Sequence, residues 1–235
     1  DKEITIKTDN DNLVIKQGRS TFKIPMFRYE EFPAFPNYQE FSKIELNSAT
    51  VTKSLKKIFP AVDTNNPKYE LNGALIDIKD YSINFIGTDQ KRLAIISYDN
   101  PSVDRLSIII PKRAISEIQK LFFDDIELYY NQTNLVIKGG NYLFFTKLIN
   151  GKFPDYERII PKEIKHKFIL SKTNMLEHIK LINSISNEIK VIFDQGRVVM
   201  ESISDENSEA LTEFEANITV FEKISIAINS KHVVD

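Results

Sequence analysis

The stretch Asn-Leu-Val-Ile-Lys, then one spacer and Gly, occurs twice, from Asn12 to Gly18 and from Asn134 to Gly140, an offset of 134 − 12 = 122 positions. Solenoid and propeller repeats run roughly 20 to 50 residues, whereas this offset is the size of a whole domain, so the chain is built from duplicated domains. The match continues outward. Glu3-Ile4-Thr5-Ile6 aligns with Asp125-Ile126-Glu127-Leu128, and Phe32-Pro33 aligns with Phe153-Pro154 one residue short of the same offset. Ile44-Glu45-Leu46-Asn47 with Val51, Leu55 and Ile58 matches Phe168-Ile169-Leu170-Ser171 with Met175, Ile179 and Ile182, where short insertions have moved the offset to 168 − 44 = 124.

Most of the chain has the period-two alternation and turn-forming Asn, Asp and Gly of antiparallel sheets. Strands are expected at Ile4 to Lys7, Leu13 to Lys16, Thr21 to Pro25, Ile83 to Ile86, Ile108 to Ile110, Ile126 to Tyr130, Leu135 to Lys138 and Tyr142 to Leu148. Three segments carry helical spacing instead. From Ser48 to Phe59, Val51, Leu55, Ile58 and Phe59 share one face and Lys53, Lys56 and Lys57 fall opposite. After Pro111, well suited to a first helical turn, Ala114, Ile115, Ile118, Leu121 and Phe122 face one way and Lys112, Arg113, Ser116, Gln119 and Lys120 the other. From Ser171 to Ile185, Met175, Leu176, Ile179 and Ile182 point inward, and a fourth helix is expected to start at Ser230.

The phase of the repeat sets the domain boundaries. One complete unit is expected over 41–163, with 1–40 as the last part of a preceding unit and 164–235 as the first part of a following one. Ser107-Ile108-Ile109-Ile110-Pro111-Lys112 finds its counterpart in Ser225-Ile226-Ala227-Ile228-Asn229-Ser230. The expectation is a fragment of a protein with at least three such units.

Little in the chain resembles an active site. None of its 235 residues is Cys, which removes disulfides, thiolate zinc sites and thiol catalysis and fits a reducing, cytoplasmic setting. Gly occurs seven times without a phosphate-cradling motif, and the three His lie far apart, so neither catalytic residues, a metal nor a cofactor is expected. No apolar run approaches the ~18 residues that would span a membrane. A formal net charge of −2 argues against a protein coated by nucleic acid. The helix faces with Lys53, Lys56 and Lys57 and with Lys112 and Arg113 are local cationic patches, while acidic residues gather elsewhere, as at Asp124-Asp125 and Asp205-Glu206. Such faces are often merely solvated, but they also meet phosphates without reading bases, the pattern of sequence-independent contact with duplex DNA.

Gly151-Lys152-Phe153-Pro154-Asp155-Tyr156-Glu157-Arg158-Ile159-Ile160-Pro161 closely resembles the link between the second and third domains of the bacterial sliding clamp, the beta subunit of the DNA polymerase III holoenzyme. Leu71-Asn72-Gly73-Ala74-Leu75, Thr88-Asp89-Gln90-Lys91-Arg92-Leu93-Ala94, Ile110-Pro111-Lys112-Arg113 and Gly18-Arg19-Ser20-Thr21-Phe22 agree in family order. The resemblance implies an α+β DNA clamp (processivity) fold of repeated domains, with antiparallel sheets outside and helices lining a central hole. It implies a non-enzymatic homodimer closed head to tail around duplex DNA, tethering the replicative polymerase.

Site residues follow from the same resemblance. Lys53, Lys56, Lys57, Lys68, Tyr69, Lys112 and Arg113 are the candidate DNA-facing surface. Lys112 and Arg113 match the family's basic pair, and the others rest more on helix facing. A peptide-binding pocket for polymerases, the clamp loader and repair proteins would be walled by Leu71, Thr88, Lys91, Arg92, Leu93, Pro154, Arg158 and Ile159. Many relatives carry Gly-His where this chain has Gln90-Lys91, so its peptide preference is expected to differ. Phe22 and Ile24, against Ile182 and Ile185, are the candidates for ring closure; for these, and for Leu71, Leu93 and Ile159, ordinary core is the competing reading. Two alternatives from other classes stand beside the clamp: a metal-dependent nuclease or phosphatase using Asp77, Asp80 and Asp89, and a generic β-rich scaffold domain.

Overall fold

The computed structural model describes residues 3–32, 34–100, 105–123, 125–203 and 209–234. Pro33, Asp124, Asp205 and Glu206, which the sequence reading used, lie outside them. Contacts divide the chain into two units, 1–42 and 43–235, each described by itself.

In the first unit β1 (Ile4–Asp9), β2 (Asn12–Gln17) and β3 (Ser20–Pro25) form an antiparallel three-stranded sheet in sequence order. Register places Ile15 opposite both Ile6 and Phe22, and Leu13 opposite Ile24, so one face is apolar. Lys7, Val14 and Lys23 share the other face.

The second unit opens with β4 (Ser42–Ile44), which begins at the boundary, and α1 (Ser48–Ile58). Then follow β5 (Gly73–Lys79), β6 (Ser82–Thr88), β7 (Leu93–Asp99), β8 (Leu106–Pro111), α2 (Lys112–Leu121), β9 (Glu127–Tyr130), β10 (Asn134–Gly139) and β11 (Tyr142–Lys147). Two antiparallel sheets result, ordered β7-β6-β5-β8 and β11-β10-β9-β4. Asn47 starts α1 by accepting the Thr50 amide at 3.1 Å, a cap that fixes where the chain turns helical. Val51, Leu55 and Ile58 of α1 and Ala114, Ile115 and Ile118 of α2 join Ile76, Phe85, Ile110, Leu135 and Ile137 from the sheets in one core. Ser48 stitches that core internally: its hydroxyl donates to the Ile126 carbonyl and accepts the Ile126 amide.

The duplicated pentapeptide folds twice to the same hairpin. Gln17 pairs with Ser20, and 122 positions later Gly139 pairs with Tyr142 (139 − 17 = 142 − 20 = 122). Gly18 and Gly140 both turn with a left-handed φ, +57° and +53°, which glycine adopts at no steric cost.

After a link, α3 (Lys172–Asn183) begins on Ser171, whose hydroxyl accepts the Asn174 amide. A sheet ordered β14-β13-β12-β15 follows, from β12 (Glu188–Asp194), β13 (Arg197–Ser202), β14 (Leu211–Glu215) and β15 (Ile224–Asn229), and then α4 (Lys231–Val234). Ile179 and Ile182 of α3 pack with Ile189, Val191, Val198 and Met200 in a second core. Among the described residues no helix is long and apolar enough to cross a membrane.

Candidate functional site

The residues expected to wall a peptide pocket sit around the outer face of the β7-β6-β5-β8 sheet. The link lays Ile149, Phe153 and Tyr156 across that face onto Leu71, Leu75, Ile86 and Ile109, with Leu93 packed at the edge. Leu71 is wholly buried, so it supports the site from beneath. Thr88, at the end of β6, is also buried; its hydroxyl donates to the Arg92 carbonyl at 2.7 Å and accepts the Gln90 amide at 3.1 Å. Asp89 accepts the Lys91 and Arg92 amides at 3.0 and 2.9 Å. Burial pushes its carboxyl up, but those amides and the Arg92 guanidinium outweigh burial and hold it below the ordinary carboxylate range.

This bracing decides which cations are available to a ligand. Arg92 donates Nε to Asp89 at 3.1 Å and a terminal nitrogen to the Pro60 carbonyl at 2.6 Å. Arg158 is exposed and paired with Asp155 at 2.8 Å. Lys91 is exposed, and Ile159 presents an apolar side chain to solvent. Pro154 lines a neighbouring cavity of about 540 Å³ with Leu75, Asp77, Lys79, Phe153 and Tyr156.

The cationic helix faces form a second cluster. Lys53, Lys56 and Lys57 on α1, Lys68, and Arg113 on α2 are exposed, and α1 and α2 pack against each other. Tyr69, Lys112 and Arg113 line one shallow cavity of about 480 Å³ with Asn65, Asn66 and Asn72. Lys112 differs from its neighbours: its ammonium donates to the Val62 carbonyl at 2.6 Å and lies 5.0 Å from the Phe59 ring centroid. It binds the end of α1 to the start of α2.

Phe22 and Ile24 are exposed on the apolar face of β3. Ile182 is a correction: at 1% exposure it belongs to the second core, because the inward stripe of α3 runs through Ile179 and Ile182. The apolar groups that α3 and the residues just after it turn to solvent are Leu181 and Ile185. Leu181 was missed because a helix read for its core face discards the apolar residue beside it.

The acidic trio of the nuclease alternative does not assemble. Asp77 accepts the Tyr156 hydroxyl at 2.9 Å and pairs with Lys79, Asp80 is bound by Arg105, and Asp89 braces its own turn. Among the described residues no group of three His, Asp or Glu could hold a metal. Gln90 is the other residue that sequence reasoning undervalued. Its φ of +72° is a left-handed conformation that a side chain disfavours.

Residues 45–155 match the family profile of the DNA polymerase III beta subunit, central domain. Beta sliding clamps from Helicobacter pylori strains J99 and 26695 are 35% and 36% identical over 244 residues, covering 100% of this chain and 65% of theirs. The chain thus spans about 65% of the length of these curated relatives. A solved structure of the Helicobacter pylori beta clamp bound to a DNA ligase peptide matches at a TM-score of 0.82 and 35% identity, covering 98% of this chain and 66% of that one. The Pseudomonas aeruginosa DNA polymerase III subunit beta, at 23% identity, has the same fold at a TM-score of 0.82.

Proposed function

We propose that the chain belongs to the beta sliding clamp family, to whose members it is similar, and that it serves DNA replication in the cytoplasm as a processivity factor that encircles duplex DNA and catalyses no reaction. The observation that carries this reading is the match along the whole chain to curated beta sliding clamps. Two helices that share a core while turning Lys53, Lys56, Lys57 and Arg113 outward support it. Topological enclosure supplies retention, so cation–phosphate contacts of this kind can stay weak and sequence-independent and let a ring slide.

In this reading 1–40 is the C-terminal part of clamp domain I, 41–163 the whole of domain II and 164–235 the N-terminal part of domain III, and copies close head to tail. The apolar face of Phe22 and Ile24 in one copy meets Leu181 and Ile185 of the next. The polymerase, the clamp loader and repair polymerases bind through short peptides at the site formed by Thr88, Lys91, Arg92, Leu93, Pro154, Arg158 and Ile159 over Leu71. A Helicobacter pylori relative is solved with a DNA ligase peptide bound. Apolar surface edged by cations suits leucine or phenylalanine anchors beside a carboxylate.

Fluorescence polarisation with a Gln-Leu-x-Leu-Phe peptide tests the peptide half. Binding that Arg92→Ala weakens is expected, and no binding to the wild type would overturn it. For the DNA half, reversing Lys53, Lys56 and Lys57 to Glu is expected to shorten retention on nicked circular DNA. Unchanged retention would remove that surface.

A further inference from the structure

The segment 160–167 stands apart from the rest of the second unit. Among the described residues none of residues 161–167 makes a hydrogen bond or an ion pair, although every one of them is exposed. Ile159, Ile160 and Ile164 are 62%, 42% and 72% exposed, and Lys162, Lys165 and Lys167 follow among them, each without a carboxylate partner among the described residues. From 158 to 167 the charges are Arg158, Lys162, Lys165 and Lys167 against Glu163 alone, in a chain whose formal net charge is −2. Unpaired backbone, apolar side chains and an excess of one sign of charge are three things a docked peptide segment uses.

We propose that 158–167 is a docking strip for an acidic, apolar segment of a partner protein, lying alongside and extending the peptide site that Arg158 and Ile159 already help to form. The proposal rests on the clamp reading of that site. Charge complementarity selects the occupant. A partner segment with carboxylates spaced between aliphatic residues pairs with the lysines, lays its apolar groups on the isoleucines and satisfies backbone groups that this chain leaves open. Single-stranded nucleic acid fits less well, because the strip offers aliphatic groups and its one aromatic ring, His166, is stacked on Phe168.

The test uses the full chain and three fluorescent probes: a Gln-Leu-x-Leu-Phe peptide with Ser-Asn flanks, the same core with Asp-Ile-Glu-Val flanks on both sides, and an oligothymidylate. The acid-flanked peptide is expected to bind the wild type about tenfold tighter than the neutral one at low salt, an advantage that shrinks as salt rises. Reversing Lys162, Lys165 and Lys167 together to Glu should erase the advantage and leave neutral-peptide binding unchanged. These three side chains are solvent-exposed, so the variant folds. Equal affinity of the two peptides for the wild type, or an advantage that survives the reversal, overturns the proposal. If the neutral peptide binds and acid flanks add nothing, the strip fails and the peptide site stands. If only the acid-flanked peptide binds, the strip stands and the core site fails. An oligothymidylate that binds the wild type and not the triple variant, or self-association lost in that variant with no change in peptide discrimination, assigns the strip to another occupant and overturns the proposal.

Discussion

The Arg92 guanidinium donates to the Pro60 carbonyl oxygen at 2.6 Å, fastening the turn between β6 and β7 to the turn that ends α1. With its Asp89 bond at 3.1 Å, Arg92 is a brace as much as a ligand-facing charge. Arg92→Ala strips a half-buried carboxylate of a partner and leaves a carbonyl unmet, and should cost about 1–3 kcal/mol. The midpoint of urea unfolding falls while the slope is unchanged. Arg92→Lys keeps the charge but lacks the fork, and recovers only part of the loss.

Tyr156 carries a second polar tie under the link, its hydroxyl donating to Asp77 beside Lys79. Burial first, and then that hydrogen bond, push its phenol from 10.0 up to about 12. The folded value lies above the unfolded one, so the stability it supplies is complete below about pH 10 and is lost as pH rises through about 12. The displacement corresponds to about 1–3 kcal/mol. Lys79, which the Glu157 carboxylate holds charged, loses stability at alkaline pH as well, in wild type and variant alike. Tyr156→Phe should therefore be about 1 kcal/mol less stable at pH 8 and show a shallower decline between pH 10 and 12 in urea titrations.

What was legible in the sequence depended on whether an element shows one face or two. α1, α2 and α3 bury one stripe each, and their 3.6-residue period placed them within a few residues of Ser48–Ile58, Lys112–Leu121 and Lys172–Asn183. β5 was not singled out, because the link covers the sheet's outer face and Ala74, Leu75, Ile76 and Ile78 are all buried, which hides the alternation. The candidate site was legible as residue types in motif order. Its commitments were not: neither the Lys112 bond to Val62 nor the Arg92 bond to Pro60 leaves a sequence signal, since a backbone carbonyl has no letter.

Gln90 and Gly140 both have left-handed backbone, and only one of them is glycine. A Cβ at Gly140 would meet nothing within 4 Å, so Gly140→Ala isolates the conformational cost, about 1 kcal/mol, or a fall in Tm of roughly 2–4 °C. Gln90→Gly removes the same strain, partly offset by the added freedom of the unfolded chain, and is expected to raise Tm by about 1–3 °C. A lowered Tm would mean that the Gln90 bond to Asn66, at 3.4 Å, outweighs the strain.

Leu181 and Ile182 are adjacent on α3 and separate solvent from core. Ile182 is 1% exposed among Ile179, Ile189 and Val191, so Ile182→Ala leaves a cavity and should cost about 2–4 kcal/mol, read as a lower urea midpoint. Leu181, at 62% exposure, touches solvent, and Leu181→Asp should stay within about 0.5 kcal/mol of the wild type. If the exposed face of α3 closes the ring, that stable variant sediments with weaker self-association than the wild type, as does Ile185→Asp. Association unchanged by both would take the ring contact off α3, whereas a large loss of stability in Leu181→Asp would put Leu181 in the core.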